Sequence, residues 1–297
     1  MGRCMSGHQY GGGISFRDHQ SQMGRNLGFS LEDARVTGGL TSDRTDGVPV
    51  TNRRRFMDVS PAQEEVMAKQ AYQQVMNEFG KSMLPPNHPV AQYVQRVARR
   101  IIQASGMQGL DWEVHVIQSD EKNAFVLPGG KVFVFTGILP IAANEDGLAT
   151  VLGHEVAHQL ARHSAEKLSF AKLVMLAGIV ISAVLDPSYT TQQLIMHFGM
   201  MLPFSRKCET EADEIGLQLM AQACFDPRES PKMWARMHKT EKGQFRLAFL
   251  TTHPASQDRA KRLEEWMPQA LDTWNKSDCA ATNEYAAEFN RMRHAFW

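Results

Sequence analysis

The chain has 297 residues, which is enough for one large domain or two small ones. Hydrophobic residues make up 43% of it and charged residues 22%, the usual composition of a globular protein. Its 32 basic residues balance its 32 acidic ones, so it lacks the basic excess of nucleic-acid-binding proteins, and we expect no nucleic-acid partner.

The first part of the chain predicts little ordered structure. Residues 1–56 are rich in Gly, Ser, Arg and Asp without sustained periodicity, so we expect a flexible N-terminal arm that lacks the apolar core of a secretory signal. The arm ends in the cluster Arg53-Arg54-Arg55, most simply a solvated surface feature, with contact to anionic lipid as the alternative. One domain is predicted over residues 57–270 and a helical tail over residues 271–297.

Two helices are predicted next. Ser60 offers an N-cap hydroxyl, Pro61 suits the first helical position and Gln63 can complete a capping box. Ordered structure should therefore begin at Ser60, with a helix that runs to about residue 81. After several prolines a second helix should run to about residue 104, because apolar residues recur on one stripe: Val90, Tyr93, Val94, Val97 and Ile101.

The period then changes from helical to alternating. Residues 112–117 alternate as in a strand, and residues 131–135 follow the turn signal Pro128-Gly129-Gly130. We expect these two segments to pair as a small antiparallel sheet. From Asn144 onward the pattern is helical, so the predicted fold is α+β and mainly helical.

Two compositional features bear on location. The four cysteines are too few for a disulfide framework and show no CxxC spacing, which favours a reducing or redox-neutral location. The longest apolar run, residues 173–185, is shorter than the about 20 residues that cross a membrane. We interpret it as a buried core helix, with a helix that dips into a membrane surface as the alternative.

Residues 154–158 carry the pattern HExxH. His154 and His158 lie four positions apart, on one face of a helix, so both imidazoles can reach one metal ion. Glu155 projects to the side, from where it can reach a water at the metal without binding the metal itself. The pattern predicts two metal ligands and a general base.

A catalytic zinc site needs a third protein ligand and an open position. Residues 209–213 supply the pattern ExxxD on another helical stretch, which predicts Glu209 as that ligand. Asp213, one turn later, can accept a hydrogen bond from the far nitrogen of a ligand histidine. Glu211 is the rival ligand, but it lies about 200° around the helix from Glu209, so we expect its loss to leave the metal bound.

Two histidines are alternative ligands. His163 lies five residues past His158, which is awkward for the same helix face, and His197 stands among apolar residues, as is typical of a core histidine. The predicted cofactor is therefore one Zn²⁺ per chain, held by His154, His158 and Glu209.

Together these motifs resemble those of one metallopeptidase family. The resemblance rests on HExxH, on ExxxD, on the stretch NAFVLPGG at residues 123–130, and on Thr252-His253-Pro254. The family includes the prenyl-protein (CAAX) endopeptidase and the bacterial heat-shock membrane protease HtpX. The chain is most similar to the mitochondrial inner-membrane members whose activity overlaps that of the m-AAA protease, over about residues 52–270.

The resemblance implies a gluzincin-like zinc-peptidase fold with a small sheet beside the active-site helix. It also implies endoproteolysis of protein substrates, membrane proteins in particular, and a stress-linked quality-control role at the mitochondrial inner membrane. Membrane association is expected, and an oligomer is left open. Inner-membrane members have a spanning segment that this chain does not show, so we expect either a shortened form or attachment through residues 173–185.

The resemblance also suggests that His253 comes close to the metal. There it can donate a hydrogen bond to the oxyanion, or occupy the fourth coordination position and keep the enzyme latent; we favour the donor. Arg259 is expected to orient substrate or to hold the loop of His253, with a surface salt bridge as the alternative.

An extended substrate can bind by adding a strand to an exposed sheet edge beside the metal, which gives affinity with little sequence selectivity. Two segments compete for this role, residues 131–135 and residues 123–127. The predicted substrate-binding residues are Asn123, Ala124 and Phe125.

Overall fold

A computed structural model describes residues 45–48, 50–185, 201–241 and 258–277, together with Phe249, His253 and Cys279. These residues form five strands: β1 Thr45–Gly47, β2 Arg54–Phe56, β3 Glu113–Ile117, β4 Ala124–Leu127 and β5 Lys131–Phe135. They also form eight α-helices: α1 Pro61–Phe79, α2 Pro89–Ser105, α3 Leu139–Ala142, α4 Glu145–Leu160, α5 His163–Leu185, α6 Leu202–Gln222, α7 Glu229–Glu241 and α8 Arg259–Lys276. The predicted mainly helical α+β fold is confirmed.

Capping residues fix the start of the first two helices. Ser60 accepts a hydrogen bond from the backbone N–H of Gln63, whose side chain in turn accepts one from the backbone of Ser60. The ring of His88 accepts a hydrogen bond from Val90 N at the start of α2, and Gly106 ends α2 with a φ of +70°. Both helices lie within a few residues of their predicted bounds.

The small sheet is mixed, so the predicted antiparallel pairing of residues 112–117 with residues 131–135 is wrong. Its strand order is β3-β5-β4, with β5 parallel to β3 and antiparallel to β4. The intervening segment is the reason: β4 makes the tight hairpin with β5 through Gly129 and Gly130, both at positive φ. That hairpin leaves β3 on the other side of β5, where the longer connection permits parallel pairing.

Ordered structure begins earlier than the predicted start at Ser60. The hairpin of β1 and β2 lies within the range assigned to the flexible arm. The prediction of a solvated basic cluster is wrong for two of its three members, because Arg53 pairs with Glu166 and Arg55 is buried. Residues 1–44 lie outside the described residues, and so do most of residues 278–297, so the domain boundaries stay predictions.

Two cysteines distant in sequence are joined. A disulfide links Cys224 to Cys279, 55 residues away, and ties the end of α6 to the chain that follows α8. The cysteine spacing gave no sign of this pair, because only the fold brings together two sulfurs that lie far apart in the sequence. Cys208 is buried, and burial raises the pKa of its thiol to about 12.

Helix α5 exposes much of its apolar sequence, so the interpretation as a buried core helix is wrong for residues 173–180. Apolar side chains 38–59% exposed lie along it: Leu173, Met175, Leu176, Ile179 and Val180. Among the described helices, none combines the length and the hydropathy that crossing a bilayer requires.

The principal core forms where α4 crosses α6, with α2, α7 and α8 packed around the pair. At the crossing, Gly153 faces Gly216. A Cβ on Gly153 would stand 2.8 Å from Gly216 O, and one on Gly216 would stand 2.8 Å from His154 N. Only glycines let the two backbones approach this closely.

We predict that Gly216→Ala lowers the free energy of unfolding by about 1–3 kcal/mol, because the new methyl group meets backbone atoms that cannot yield. Gly80→Ala is the matched control: Gly80 has right-handed backbone angles and no atom within 4 Å of an added Cβ, so its variant should be unchanged or slightly more stable. Denaturant unfolding measures both, and equal stability of the two variants would contradict the close approach.

Candidate metal centre

Helix α4 carries the HExxH residues into the interior. It begins at Asn144, whose side chain accepts a hydrogen bond from Gly147 N, and its residues 147–157 are all buried. His154 and Glu155 are each no more than 2% exposed. The helix thus places the imidazole of His154 and the carboxylate of Glu155 where bulk water is excluded, and leaves His158 partly exposed.

The four predicted groups nearest the motif converge on one point. His154 Nε2 lies 3.1 Å from His158 Nε2 and 3.2 Å from Glu209 Oε2, and His158 Nε2 lies 3.5 Å from Glu209 Oε1. His253 Nδ1 lies 3.3 Å from His154 Nε2 and 3.0 Å from Glu209 Oε2. Donor atoms about 2.0–2.1 Å from a tetrahedral ion stand about 3.3 Å apart, so these spacings fit one such ion.

The outer nitrogen of His154 is also fixed. Its Nδ1 lies 2.9 Å from Asp213 Oδ1, and Arg259 Nε donates to Asp213 Oδ2 at 2.6 Å. Because Asp213 only accepts, Nδ1 of His154 carries a proton, which leaves Nε2, on the side of Glu209, as the nitrogen that can bind a metal. This arrangement is the one expected of Asp213 from the ExxxD spacing.

The electrostatics of the centre favour a cation. Burial opposes a charge on Glu209, but the surrounding histidines, His253 first, outweigh it and hold the pKa of Glu209 well below its usual value. Burial also opposes a charge on His154, yet hydrogen bonds to Asp213 and Glu209 raise its pKa to about 9. The Nδ1 of His158 faces His163 and not a carboxylate, and burial lowers the pKa of His158 well below its usual value.

Two buried carboxylate oxygens support the same conclusion. Glu155 Oε1 and Glu209 Oε1 accept no hydrogen bond from the part of the chain that the structure describes. A buried carboxylate oxygen that lacks a donor is costly unless a positive charge is near it. The donor set of two imidazoles and a carboxylate therefore fits a divalent metal, and Glu155 stands beside that set.

Glu155 is linked to the sheet. Burial raises the pKa of Glu155, and the backbone of Val126 in β4, which lies beside the carboxylate, opposes that rise only weakly. Of the two segments that the sequence proposed as the edge, β4 lies at an outer position of the sheet and β5 lies at its centre, so residues 131–135 are excluded. The side chains of Asn123 and Ala124 are buried, and Phe125 stacks on Phe133, so a substrate would meet the backbone of β4.

The alternatives that the sequence left open have different outcomes. Arg259 is buried between Asp213 and the ring of Trp234, so the surface salt bridge is wrong. His163 turns to His158, with 2.8 Å between the two Nδ1 atoms. Glu211 lies apart from the four converging donors: burial opposes its charge, but hydrogen bonds from His163, Arg53 and Thr51 lower its pKa to about 2. His197 lies outside the described residues.

Sequence reasoning missed two neighbours of the centre. The ring of Trp234 meets His154 edge-on and lies 3.9 Å below the guanidinium of Arg259. Arg53 reaches Glu211 from the N-terminal hairpin. Neither gave a signal, because Trp234 lies in an amphipathic helix and Arg53 in a basic run, and both patterns are common in proteins without a metal.

Known proteins resemble the chain over the region that holds this centre. The sequence model of Peptidase family M48 matches residues 89–267. The Mitochondrial metalloendopeptidase OMA1 of Schizosaccharomyces pombe is 55% identical over 234 residues, 78% of this chain and 69% of that protein. Its namesake in Saccharomyces cerevisiae is 41% identical over 263 residues, 83% and 76% of the two chains. The human Metalloendopeptidase OMA1, mitochondrial, is 32% identical over 248 residues, 78% of this chain and 47% of that protein.

Proposed function

The chain belongs to peptidase family M48, and from this premise we propose that it is a mitochondrial zinc endopeptidase whose ion is held by His154, His158 and Glu209. The proposal rests on one observation: the potential ligand atoms of these three residues lie 3.1–3.5 Å from one another. Two imidazoles and one carboxylate are a usual donor set of catalytic zinc, with one position left for the reaction.

The metal and the residues around it have separate roles in peptide hydrolysis. When bound, the metal supplies Lewis-acid activation of a water and of the scissile carbonyl. Glu155 takes the proton from the attacking water and passes it to the leaving amine. Its raised pKa brings the carboxylate closer to the pH at which proton transfer in both directions is efficient. Asp213, held by Arg259, keeps His154 in the tautomer that binds the metal.

Strand β4 is the proposed docking edge for the substrate. It is one of the two outer strands of the sheet, and the backbone of its Val126 lies beside the carboxylate of Glu155. A peptide added in extended form beside β4 would therefore run past the general base. Backbone pairing of this kind accepts many sequences, which suits an endopeptidase that acts on varied protein substrates.

We predict that Glu155→Gln retains the metal and the fold but loses proteolysis of a casein-type substrate, because it removes the base and no ligand. Glu209→Ala is the contrast: it should lose bound metal as well as activity, since Glu209 joins α6 to the centre formed by α4. Elemental analysis and a digestion assay on the same preparations separate the two effects. Metal loss in Glu155→Gln, or near-normal turnover by that variant, would contradict the assignment of Glu155 as a general base.

His253 occupies the fourth corner of the donor set, so the contacts favour the latching role over the oxyanion donor that the sequence favoured. Its Nδ1 stands at coordination spacing from His154 and Glu209, while its Nε2 lies 3.3 Å from Glu155 Oε1. In this position the ring excludes water from both the ion and the general base. We propose that His253 keeps the site latent until a bound substrate displaces it.

The latch predicts that His253→Ala raises basal turnover of a short peptide, because water gains the fourth position. His253→Phe is the contrast: it removes the metal-binding nitrogens but retains the ring that stacks on Phe249, 4.6 Å between centroids, so water stays excluded and turnover should not rise. Steady-state kinetics measure both. A fall in kcat of roughly 10² to 10³ in His253→Ala would instead identify an oxyanion donor.

We propose the inner membrane as the location and the exposed face of α5 as the contact. The face is formed by Leu173, Met175, Leu176, Ile179 and Val180. Five neighbouring apolar side chains on one helix are costly in water, and none of them offers a hydrogen-bonding group to a polar partner. Lipid tails satisfy such a face when the helix lies in the membrane surface, and membrane-bound substrates would then lie near the protease.

Vesicle sedimentation tests this contact. The full chain should sediment with phosphatidylcholine vesicles, and Leu176→Asp combined with Ile179→Asp should abolish sedimentation while leaving peptide hydrolysis intact. Val66→Asp is the matched control, since Val66 on α1 is 56% exposed and isolated, compared with 59% for Leu176. Self-association of the wild type that the α5 variant abolishes, without vesicle binding, would identify a second copy as the occupant instead.

A further inference from the structure

A chain of hydrogen bonds holds the ring of His158 on the side that faces away from the metal donors. His158 Nδ1 lies 2.8 Å from His163 Nδ1, and His163 Nε2 lies 3.0 Å from Glu211 Oε2. Glu211 in turn accepts hydrogen bonds from Arg53, at 2.6 Å from Nη2, and from the hydroxyl of Thr51. His163 and Glu211 are buried, so water does not compete for these contacts.

Only one placement of protons satisfies this chain while leaving His158 able to bind a metal. The carboxylate of Glu211 accepts but does not donate, so His163 carries its proton on Nε2. The Nδ1 of His163 is then an acceptor, and His158 must donate to it from Nδ1. The lone pair on His158 Nε2 is thereby directed toward Glu209, as Asp213 directs that of His154.

A break between two helices makes the contact of His163 with His158 possible. Helix α4 ends at Leu160, and Arg162 has a φ of +49°, so His163 begins α5 instead of continuing α4. The turn folds His163 back onto His158. Arg55 of β2 donates to Ala161 O at this turn, which docks the N-terminal hairpin on the end of the HExxH helix.

Arg53, which belongs to the N-terminal hairpin, pairs with two buried acidic residues, Glu166 and Glu211. Its guanidinium donates to Glu166 at 2.6 and 2.7 Å and to Glu211 at 2.6 Å, so one side chain closes two ion pairs. Both carboxylates are almost fully buried, and Arg53 is largely so. Removal of Arg53 would leave Glu211 free to turn away from His163.

A second metal site is the rival interpretation of this cluster. Donor atoms of His163, Glu166 and Cys208 lie within 4.8 Å of one another. However, both nitrogens of His163 are engaged by His158 and Glu211, and the carboxylate of Glu166 is engaged by Arg53. The guanidinium already supplies the positive charge that a cation would bring, so the contacts favour a hydrogen-bonded relay.

We propose that His163, Glu211 and Arg53 form a relay that positions His158 for the metal, so that metal affinity depends on the docked N-terminal hairpin. The proposal rests on the metal site proposed above. His163 and Glu211 are positioning residues that act through His158, and Arg53 acts through Glu211. Loss of Glu211 should therefore weaken metal binding although Glu211 is not a ligand, contrary to the expectation from its helix position alone. Displacement of the hairpin would loosen a ligand of the ion without any change in the HExxH or ExxxD motifs.

Metal affinity of the full chain tests the relay. Zinc dissociation constants are measured by competition with a chromophoric chelator, and the cobalt(II) absorption spectrum reports the geometry of the donor set. We expect His163→Phe, Glu211→Gln and Arg53→Met to weaken zinc binding by about 10- to 100-fold and to alter the cobalt spectrum. The double variant of His163→Phe with Glu211→Gln should be no weaker than His163→Phe alone, because both changes break one chain.

Two controls separate the relay from a loss of packing. Arg54→Met removes the same charge from the exposed neighbour in β2, and Lys172→Met removes the 3.1 Å ion pair with Asp58 that also holds this region to α5. Both should retain wild-type affinity. Unchanged affinity in Glu211→Gln and Arg53→Met, or equal weakening in Lys172→Met, would overturn the relay alone. Two zinc ions per wild-type chain would favour the second site, and a wild type that binds none would overturn the metal site and the relay together.

Discussion

The close approach of α4 and α6 at Gly153 and Gly216 is the constraint on which the rest of the structure depends. With side chains at these positions the two helix axes would move apart, and the ligands they carry would move with them. His154 and His158 project from one helix and Glu209 and Asp213 from the other, and their donor atoms meet within 3.5 Å. Glycine is destabilising in a helix interior by up to about 1 kcal/mol, so packing at the crossing must offset that cost.

The two histidines of the proposed metal site are fixed in the same chemical way by different parts of the chain. His154 is oriented directly by Asp213, which Arg259 of α8 holds in place. His158 is oriented through His163 by a carboxylate that an arginine of the N-terminal hairpin holds. Each arginine neutralises a buried acid, which would otherwise be costly, and each comes from a segment far in sequence from the ligand it supports. The metal centre is therefore assembled by the domain as a whole.

Two surfaces extend from the centre. Strand β4 brings the backbone of Val126 beside Glu155, so the proposed docking edge lies next to the proposed general base. Helix α5 begins at His163 beside the centre and continues into the exposed apolar face, so a membrane contact on α5 would stand on the same helix as the relay. This continuity offers a physical route by which attachment to a lipid surface could bear on the metal ligands.

Short-range patterns were sufficient for part of this structure. Helix periodicity and capping residues fixed α1 and α2, and HExxH and ExxxD named the residues that converge, because spacings of three and four are properties of a helix alone. The sequence did not reveal the strand order, since alternation marks β3 and β5 but not their relative direction. It also could not show that Arg53 pairs with Glu166 and Glu211, that Arg55 is buried, that Cys224 pairs with Cys279, or that His163 folds back at Arg162. Each of these depends on which distant groups become neighbours when water is excluded, and only the tertiary structure decides that.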